Sequence, residues 1–588
     1  DGFYEEEYYS SYTLNVYIQK YDLSGTKISE NMITLPEGRD FSRIYVDDVT
    51  GNTYIVSNVY GAQWYIQMYS ADGVLQEETE IVTDAEWVYV NTIMTTDNGF
   101  VLLGLENEIK IYNDTLSSMK TIPMETYIAG MIRTTEGKCY VITEETGPDN
   151  VYMQVAKEID VTQATLGEVY ELPQQMWFNG GYCGCGAYDL ISSDGAGLYG
   201  YSLSTGEVTK IMGYVESDLY MDYMNSCFLM DEETAIGTMY DENTWEMNEI
   251  VVYKKADPAT LAEKEIISLG MVYFDQDVAR MVIEYNKNNQ DTRIQIKSYM
   301  EGMDDWEAAQ TAFNNDLITG NCPDIVLLSG GSQDMYNYMR KGSFAQLDEF
   351  LASDAELDAA DLFPNVKEAL SYDGKLYGIT PGFGITTLAM KAAYAPAEGR
   401  ISYQDLIQLE QQLGVKAFYM QPKSELFYMQ MNLGQADYID VRNGKCEFGQ
   451  NFVDALNYMQ QYPDEIDYDN PDYYSDYTSI YRNDQAILTY MYLDNFRSFN
   501  RAENEQFGEE IALVGFPGTG EGGSVIELRS VLAISAKSKQ KEAAWQFVRQ
   551  FLGAEFQLEN EYAFPSRLSV CEQKMQNEMK RPFYIDID

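Results

Sequence analysis

Glu265-Ile266-Ile267-Ser268-Leu269-Gly270-Met271-Val272 is the stretch on which the reading of this chain turns. It is a short, mostly aliphatic run, the pattern of a strand covered on both faces. Directly after it Val278, Met281, Val282 and Tyr285 recur at helical spacing, so 278–286 is predicted to be an amphipathic helix. Ile294-Gln295-Ile296 reads as a second strand, Trp306 to Leu317 as a second helix, and Asp324-Ile325-Val326-Leu327-Leu328 as a third strand. The order β-α-β-α-β predicts a parallel sheet with right-handed crossovers.

Upstream the period changes. Between roughly Tyr12 and Lys255 short alternating strands are separated by turn residues and almost nothing keeps a helical period, so this part is predicted to be all-β. Tyr17-Ile18-Gln19-Lys20-Tyr21-Asp22-Leu23-Ser24-Gly25 is similar to Tyr65-Ile66-Gln67-Met68-Tyr69-Ser70-Ala71-Asp72-Gly73, and Ile109-Lys110-Ile111-Tyr112-Asn113-Asp114 fills the same slot. Related units end at Ser204-Thr205-Gly206 and near Val252-Tyr253-Lys254. A spacing of roughly 40 to 50 residues, with about four short strands per unit, is that of propeller blades, which stack radially and leave only short edges exposed. Five units and a partial first one predict a propeller-like domain of about six blades, with five or seven also open. A pair of β-sandwiches is the competing architecture.

Downstream, four stretches follow one another: Asp316-Leu317-Ile318-Thr319-Gly320-Asn321-Cys322-Pro323-Asp324-Ile325-Val326; Tyr338 to Asp348 with its Lys341-Gly342 and Leu347-Asp348; Tyr372-Asp373-Gly374-Lys375-Leu376-Tyr377-Gly378-Ile379-Thr380-Pro381; and Val514 to Gly518 leading through Val531–Ser538 to Glu542–Val548. In this order they resemble the maltose-type (family 1) extracellular solute-binding proteins of ABC importers. The resemblance implies a two-lobed α/β periplasmic-binding-protein-like domain over 264–588, so that with the repeats upstream the chain is expected to be multidomain, a β-propeller-like domain over 1–263 preceding it. Lobe one would take about 264–379 and 538–567, lobe two about 380–530 and 568–588. It further implies a bacterial lipoprotein at the extracellular membrane face, monomeric, which delivers a sugar or oligosaccharide to a permease and does no chemistry.

Size and charge narrow the alternatives. The 588 residues exceed what one core organises, and 45% apolar with 23% charged residues is ordinary for a folded protein. With 39 Lys+Arg against 94 Asp+Glu the formal charge is -55, a field that repels phosphates and excludes nucleic acid as a partner. There is no His, which removes the commonest general base and the commonest metal ligand. Cys183-Gly184-Cys185 is the one close cysteine pair and reads as small residues in a tight turn. The acidic run Asp464–Asp472 lacks the Gly and distal Glu of a calcium loop, and no Gly-Lys-Ser/Thr phosphate loop occurs. No run of about 18 apolar residues exists, and the opening Asp1-Gly2-Phe3-Tyr4-Glu5 is not that of a signal peptide. No catalytic residue, cofactor or metal is expected in the binding domain. A carbohydrate-active enzyme on the propeller and a sensory receptor for an extracellular solute are the alternative functions.

Sugars present apolar C–H faces and rings of hydroxyls, so their sites pair aromatic platforms with carboxylates, amides and guanidinium groups. Loops at the carboxyl ends of parallel strands line the crevice of such sheets. That rule selects Tyr273, Phe274 and Asp275, then Ser329, Gly330 and Gly331. Phe383 follows at the hinge exit, and Tyr490, Tyr492, Asp494 and Asn495 follow a strand predicted over Ala486–Thr489. Glu527 and Arg529 stand where the family often has a Gly-Gly pair. Competing readings are packing for Tyr273 and Phe274, a cap for Asp494, a mutual ion pair for Glu527 and Arg529, and helix-face packing for Trp306.

Overall fold

The computed structural model describes residues 14–580 apart from the stretches 60–62, 84–88, 148–151, 174–175, 177–182, 194–196, 221–223, 242–243, 245–246, 258–262, 301–304, 329–333, 398–399, 441–442, 469–476 and 519–522. The chain divides into two compact units, Asp1–Glu263 and Lys264–Asp588.

The first unit is a succession of antiparallel meanders. Among the described residues a hairpin, Asn15–Tyr21 with Lys27–Thr34, precedes four four-stranded sheets and one three-stranded sheet, and within each sheet consecutive strands pair. The repeated sequence slot proves to be the third strand in four of the sheets, Gln63–Tyr69, Glu108–Tyr112, Gly197–Ser202 and Met247–Lys254, while its first copy is the first strand of the hairpin, Asn15–Tyr21. It is recognisable because the turn after it needs a left-handed residue, which is Gly25, Gly73 or Gly206 in three units and Leu116 in another. The first strands Asp40–Val46, Val90–Thr95, Ile128–Arg133, Cys183–Cys185 and Met224–Asp231 lie against one another in succession. Apolar clusters fill the spaces between consecutive sheets: Val56, Ile66 and Leu103 in one, Ile111, Met131 and Val141 in the next. The Cys185 thiol is pushed up by burial and by Asp231 and Glu232, so it is not a reactive thiolate.

The second unit holds two large sheets, besides the short hairpins Ser371–Tyr372 with Lys375–Leu376 and Ile439–Asp440 with Lys445–Cys446. The first has the order Thr292–Ser298, Glu265–Met271, Ile325–Leu328, Val531–Ile534. Its first three strands are parallel and the last, arriving from far along the chain, is antiparallel, so the sheet is mixed. Helix Gln276–Asn288 buries Val278, Met281, Val282 and Tyr285 as the spacing requires. Helix Lys541–Val548 returns to the same lobe and sets Phe547 edge-on to Tyr285, ring centroids 5.4 Å apart.

The second sheet is built on one long strand, Gly382–Lys391, which pairs antiparallel with Thr489–Leu493, Ile511–Leu513, Val525–Arg529 and Phe564–Pro565. Phe564–Pro565 therefore belongs with lobe two, although the sequence reading gave everything from 538 to 567 to lobe one. The strand predicted over Ala486–Thr489 begins instead at Thr489. Ile487 and Leu488 are buried in lobe two's core, but their N–H groups turn to the Ala417 carbonyl, so this apolar run is not a strand. The chain passes between lobes at 377–381, at Ser530 and again between helix Lys541–Val548 and strand Phe564–Pro565, and the first two passages are joined where Ile379 and Leu532 exchange backbone hydrogen bonds of 2.9 Å.

Candidate functional site

The strand Glu265–Met271 runs straight into Val272-Tyr273-Phe274-Asp275, and helix Gln276–Asn288 starts at once. Asp275 is its N-cap: Oδ1 accepts from the Val278 N–H at 3.0 Å, and Oδ2 accepts from the Ser530 hydroxyl at 2.7 Å. Both carboxylate oxygens are thus engaged, one at the helix start and one at Ser530, and the residue fixes the loop to the hinge. Tyr273 and Phe274 are 52% and 36% exposed, which removes the core-packing reading. Trp306 is the first residue of its helix, and its ring stacks on Tyr273 with centroids 6.3 Å apart and planes at 24°. Half-exposed and ring-on-ring, the two form an aromatic face rather than helix packing.

The facing wall comes from strand Val525–Arg529, where Glu527 and Arg529 share a face because alternate residues do. They do not pair with each other. Glu527 Oε1 accepts from the Thr386 hydroxyl at 2.5 Å on the adjacent long strand, and Arg529 donates to the Tyr492 hydroxyl while its guanidinium carbon lies 5.4 Å from that ring's centroid. Tyr492 lies across Gly384, where any Cβ would run into its ring, so glycine is required at that point of the long strand. Burial raises the Tyr492 phenol above its ordinary value, Arg529 opposes this, and Glu527 and Asp494 add to it. The hydroxyl is accordingly neutral at physiological pH and can both donate and accept.

These walls enclose a cavity of about 410 Å³ lined by Val272, Tyr273, Phe274, Asp275, Leu327, Leu328 and residues 527–530. That volume lies within the range of small-ligand sites. Tyr273, Phe274, Asp275, Glu527 and Arg529 are thus brought together, with Tyr492 attached through Arg529. Ser329 and Gly330 lie outside the described residues. Phe383 does not join the group: it is 4% exposed and packed between Phe363 and Phe564, with centroids at 5.2 and 5.8 Å. Asn495 caps helix Phe496–Arg501 by accepting from the Ser498 N–H at 2.8 Å, and its amide donates to Asp494 Oδ1 at 2.9 Å. Both residues serve a helix start, and neither lines the cavity.

Sequence reasoning missed a second cavity, of about 310 Å³, among Phe418, Tyr419, Met420, Gln421, Tyr481 and Tyr490. Tyr490 is 48% exposed and shares a strand face with Tyr492. The only available signal was the aromatic run just before Pro422 and helix Lys423–Leu433, which nothing separates from other Tyr-rich segments in a chain with 49 Tyr. Among the described residues no group of three Cys, Asp or Glu is placed to hold a metal ion, and no helix is long and apolar enough to cross a membrane.

Residues 280–568 match the family described as bacterial extracellular solute-binding protein. No curated protein matches the chain. Among solved structures the chain is similar to the sugar-binding protein MalE of Xanthomonas citri, with 17% identity over 53% of this chain and 82% of that one and a TM-score of 0.38. It is also similar to an ABC substrate-binding protein of Listeria monocytogenes in complex with cycloalternan, at 15% identity over 53% and 83% with a TM-score of 0.35. A third is the GacH receptor of Streptomyces glaucescens, at 18% identity over 54% and 84% with a TM-score of 0.33.

Proposed function

We propose that the Lys264–Asp588 unit captures a sugar or oligosaccharide between its lobes and delivers it to an ABC importer, as a lipid-anchored monomer at the outer face of a bacterial membrane. The observation that carries this reading is the cavity whose two walls come from different lobes, with Tyr273, backed by the stacked Trp306 ring, on one side and Glu527 and Arg529 on the other. Stacking faces and fixed polar groups suit a pyranose, whose C–H face and hydroxyl rim need both. The family matched by residues 280–568 supports solute capture as the task. In this reading Tyr273, Phe274, Tyr492, Glu527 and Arg529 touch ligand, and Ser329 and Gly330 are assigned to the same site from the sequence.

The joined passages at 377–381 and Ser530 form the hinge. Ser530, at φ +46°, occupies the left-handed region that a non-glycine residue enters only at a cost, a common property of switching segments. For the Asp1–Glu263 unit we propose a six-bladed propeller that acts as an accessory module. Its consecutive first strands and the packing between successive sheets favour radial stacking over a pair of sandwiches.

A thermal-shift screen of the full chain against a carbohydrate library tests the proposal. One ligand class is expected to raise the melting temperature, and Tyr492→Ala to reduce that shift while leaving the unliganded melt in place. No shift across the library, or hydrolysis of any oligosaccharide, would contradict it.

A further inference from the structure

Among the described residues Arg529 makes no ion pair, in a chain where carboxylates are plentiful, 94 Asp+Glu against 39 Lys+Arg. Elsewhere in the same unit Arg400, Arg549 and Arg567 each bond a carboxylate, those of Asp437, Asp354 and Asp361, at 2.6 to 2.8 Å. Arg529 lines the cavity and is exposed, and among the described residues its guanidinium makes its one hydrogen bond to the neutral hydroxyl of Tyr492. Neither carboxylate of the cavity neutralises it. Glu527 is drawn to Thr386, and Asp275 has both oxygens engaged by the Val278 N–H and the Ser530 hydroxyl. A guanidinium carries five N–H donors in a planar fork that matches a carboxylate, so most of this fork has no acceptor among the described residues.

Resting on the carbohydrate reading above, we propose that the captured ligand is an acidic oligosaccharide, whose uronic acid carboxylate is taken bidentately by Arg529 while Glu527 accepts from neighbouring sugar hydroxyls. The Tyr492 hydroxyl and ring hold the guanidinium in place for that fork. Charge-assisted pairs of this kind are about twice as strong as neutral hydrogen bonds. The formal charge of -55 sets a limit on the ligand: a chain of consecutive uronates is repelled by the protein as a whole, so one carboxylate among neutral sugars fits better than a polyuronide.

Calorimetric titration of the full chain tests this with a panel of oligosaccharides bearing a single glucuronate or galacturonate, each beside its carboxyl-reduced counterpart. At least one acidic member should bind about tenfold or more tightly than its reduced form, which corresponds to one well-made charged contact. The preference should shrink between 50 and 500 mM salt, vanish in Arg529→Gln and persist in part in Arg529→Lys. Equal affinity for acidic and reduced forms, a preference that survives Arg529→Gln, or binding of sulfated or phosphorylated sugars in place of uronates would overturn the proposal. Capture of neutral oligosaccharides alone would do so while leaving the carbohydrate reading intact. Binding of no sugar, acidic or neutral, would remove both.

Discussion

Among the described residues of the Asp1–Glu263 unit consecutive strands pair within each sheet, whereas both large sheets of the Lys264–Asp588 unit are completed by strands from far along the chain. The difference decides where a site can form. Local meanders repeat one packing solution, and their polar turns stay separate. The crossing chain of the second unit instead sets Gly382 opposite both Arg529 and Pro565, and so brings Asp275, Tyr492 and Arg529 to one place. Loop-closure entropy grows only slowly with loop length, so such distant pairing is not prohibitive.

The largest expected effect separates the arginine clamps of the two units. Arg400 and Asp437 form an ion pair with side chains 4% and 6% exposed, and Arg400 also holds the Phe516 and Pro517 carbonyls ahead of strand Val525–Arg529. Arg400→Met leaves Asp437 buried and unpaired, and should cost about 3 to 5 kcal/mol in the urea transition of that unit. In the first unit Arg133 bridges Asp48 and Asp97, two mostly exposed carboxylates, so Asp48→Asn should cost less than about 1 kcal/mol. Equal costs would break the contrast.

Next in size is Arg549→Gln, expected to cost about 2 kcal/mol near neutral pH. The Arg549 hydrogen bond holds the Asp354 carboxyl below its ordinary value of 3.8. Because the folded value is the lower one, this stabilisation is complete above the unfolded value and is lost as pH falls through the folded value. The gap between wild type and variant, followed by melting, should therefore narrow below about pH 4. A gap independent of pH would show that the pair acts through packing alone.

Tyr492→Ala should weaken ligand binding about tenfold, near 1.4 kcal/mol by titration, without shifting the first unit's unfolding. The smallest effect concerns the hinge. Ser530→Ala loses the bond to Asp275, about 1 kcal/mol. Ser530→Gly loses the same bond but relieves a left-handed backbone by a similar ~1 kcal/mol, so it should melt close to wild type.

Legibility followed the same division. The helices after Met271 and Thr292–Ser298 were readable because their apolar residues keep the 3.6 period, and Tyr273, Phe274 and Asp275 because strand ends locate crevice loops. Glu527 and Arg529 stood out as departures from a Gly-Gly pattern. Phe383 was misread because its neighbours Phe363 and Phe564 come from distant segments, and only the crossing makes it core. Ala486–Thr489 was misread because a short apolar run does not reveal whether its backbone bonds lie in a ladder; Ile487 and Leu488 bond Ala417 instead. The pocket around Tyr419 and Tyr481 was invisible for the same reason: its residues meet only through the fold.

The central claim is that ligand binds between the lobes of the second unit. Hydrogen–deuterium exchange of the full chain, with and without the library oligosaccharide that gives the largest melting shift, tests it most directly. Simultaneous protection of 272–275, 489–493 and 525–530, with the Asp1–Glu263 unit unchanged, is the predicted result. Protection confined to the sheets of Asp1–Glu263 would contradict the account.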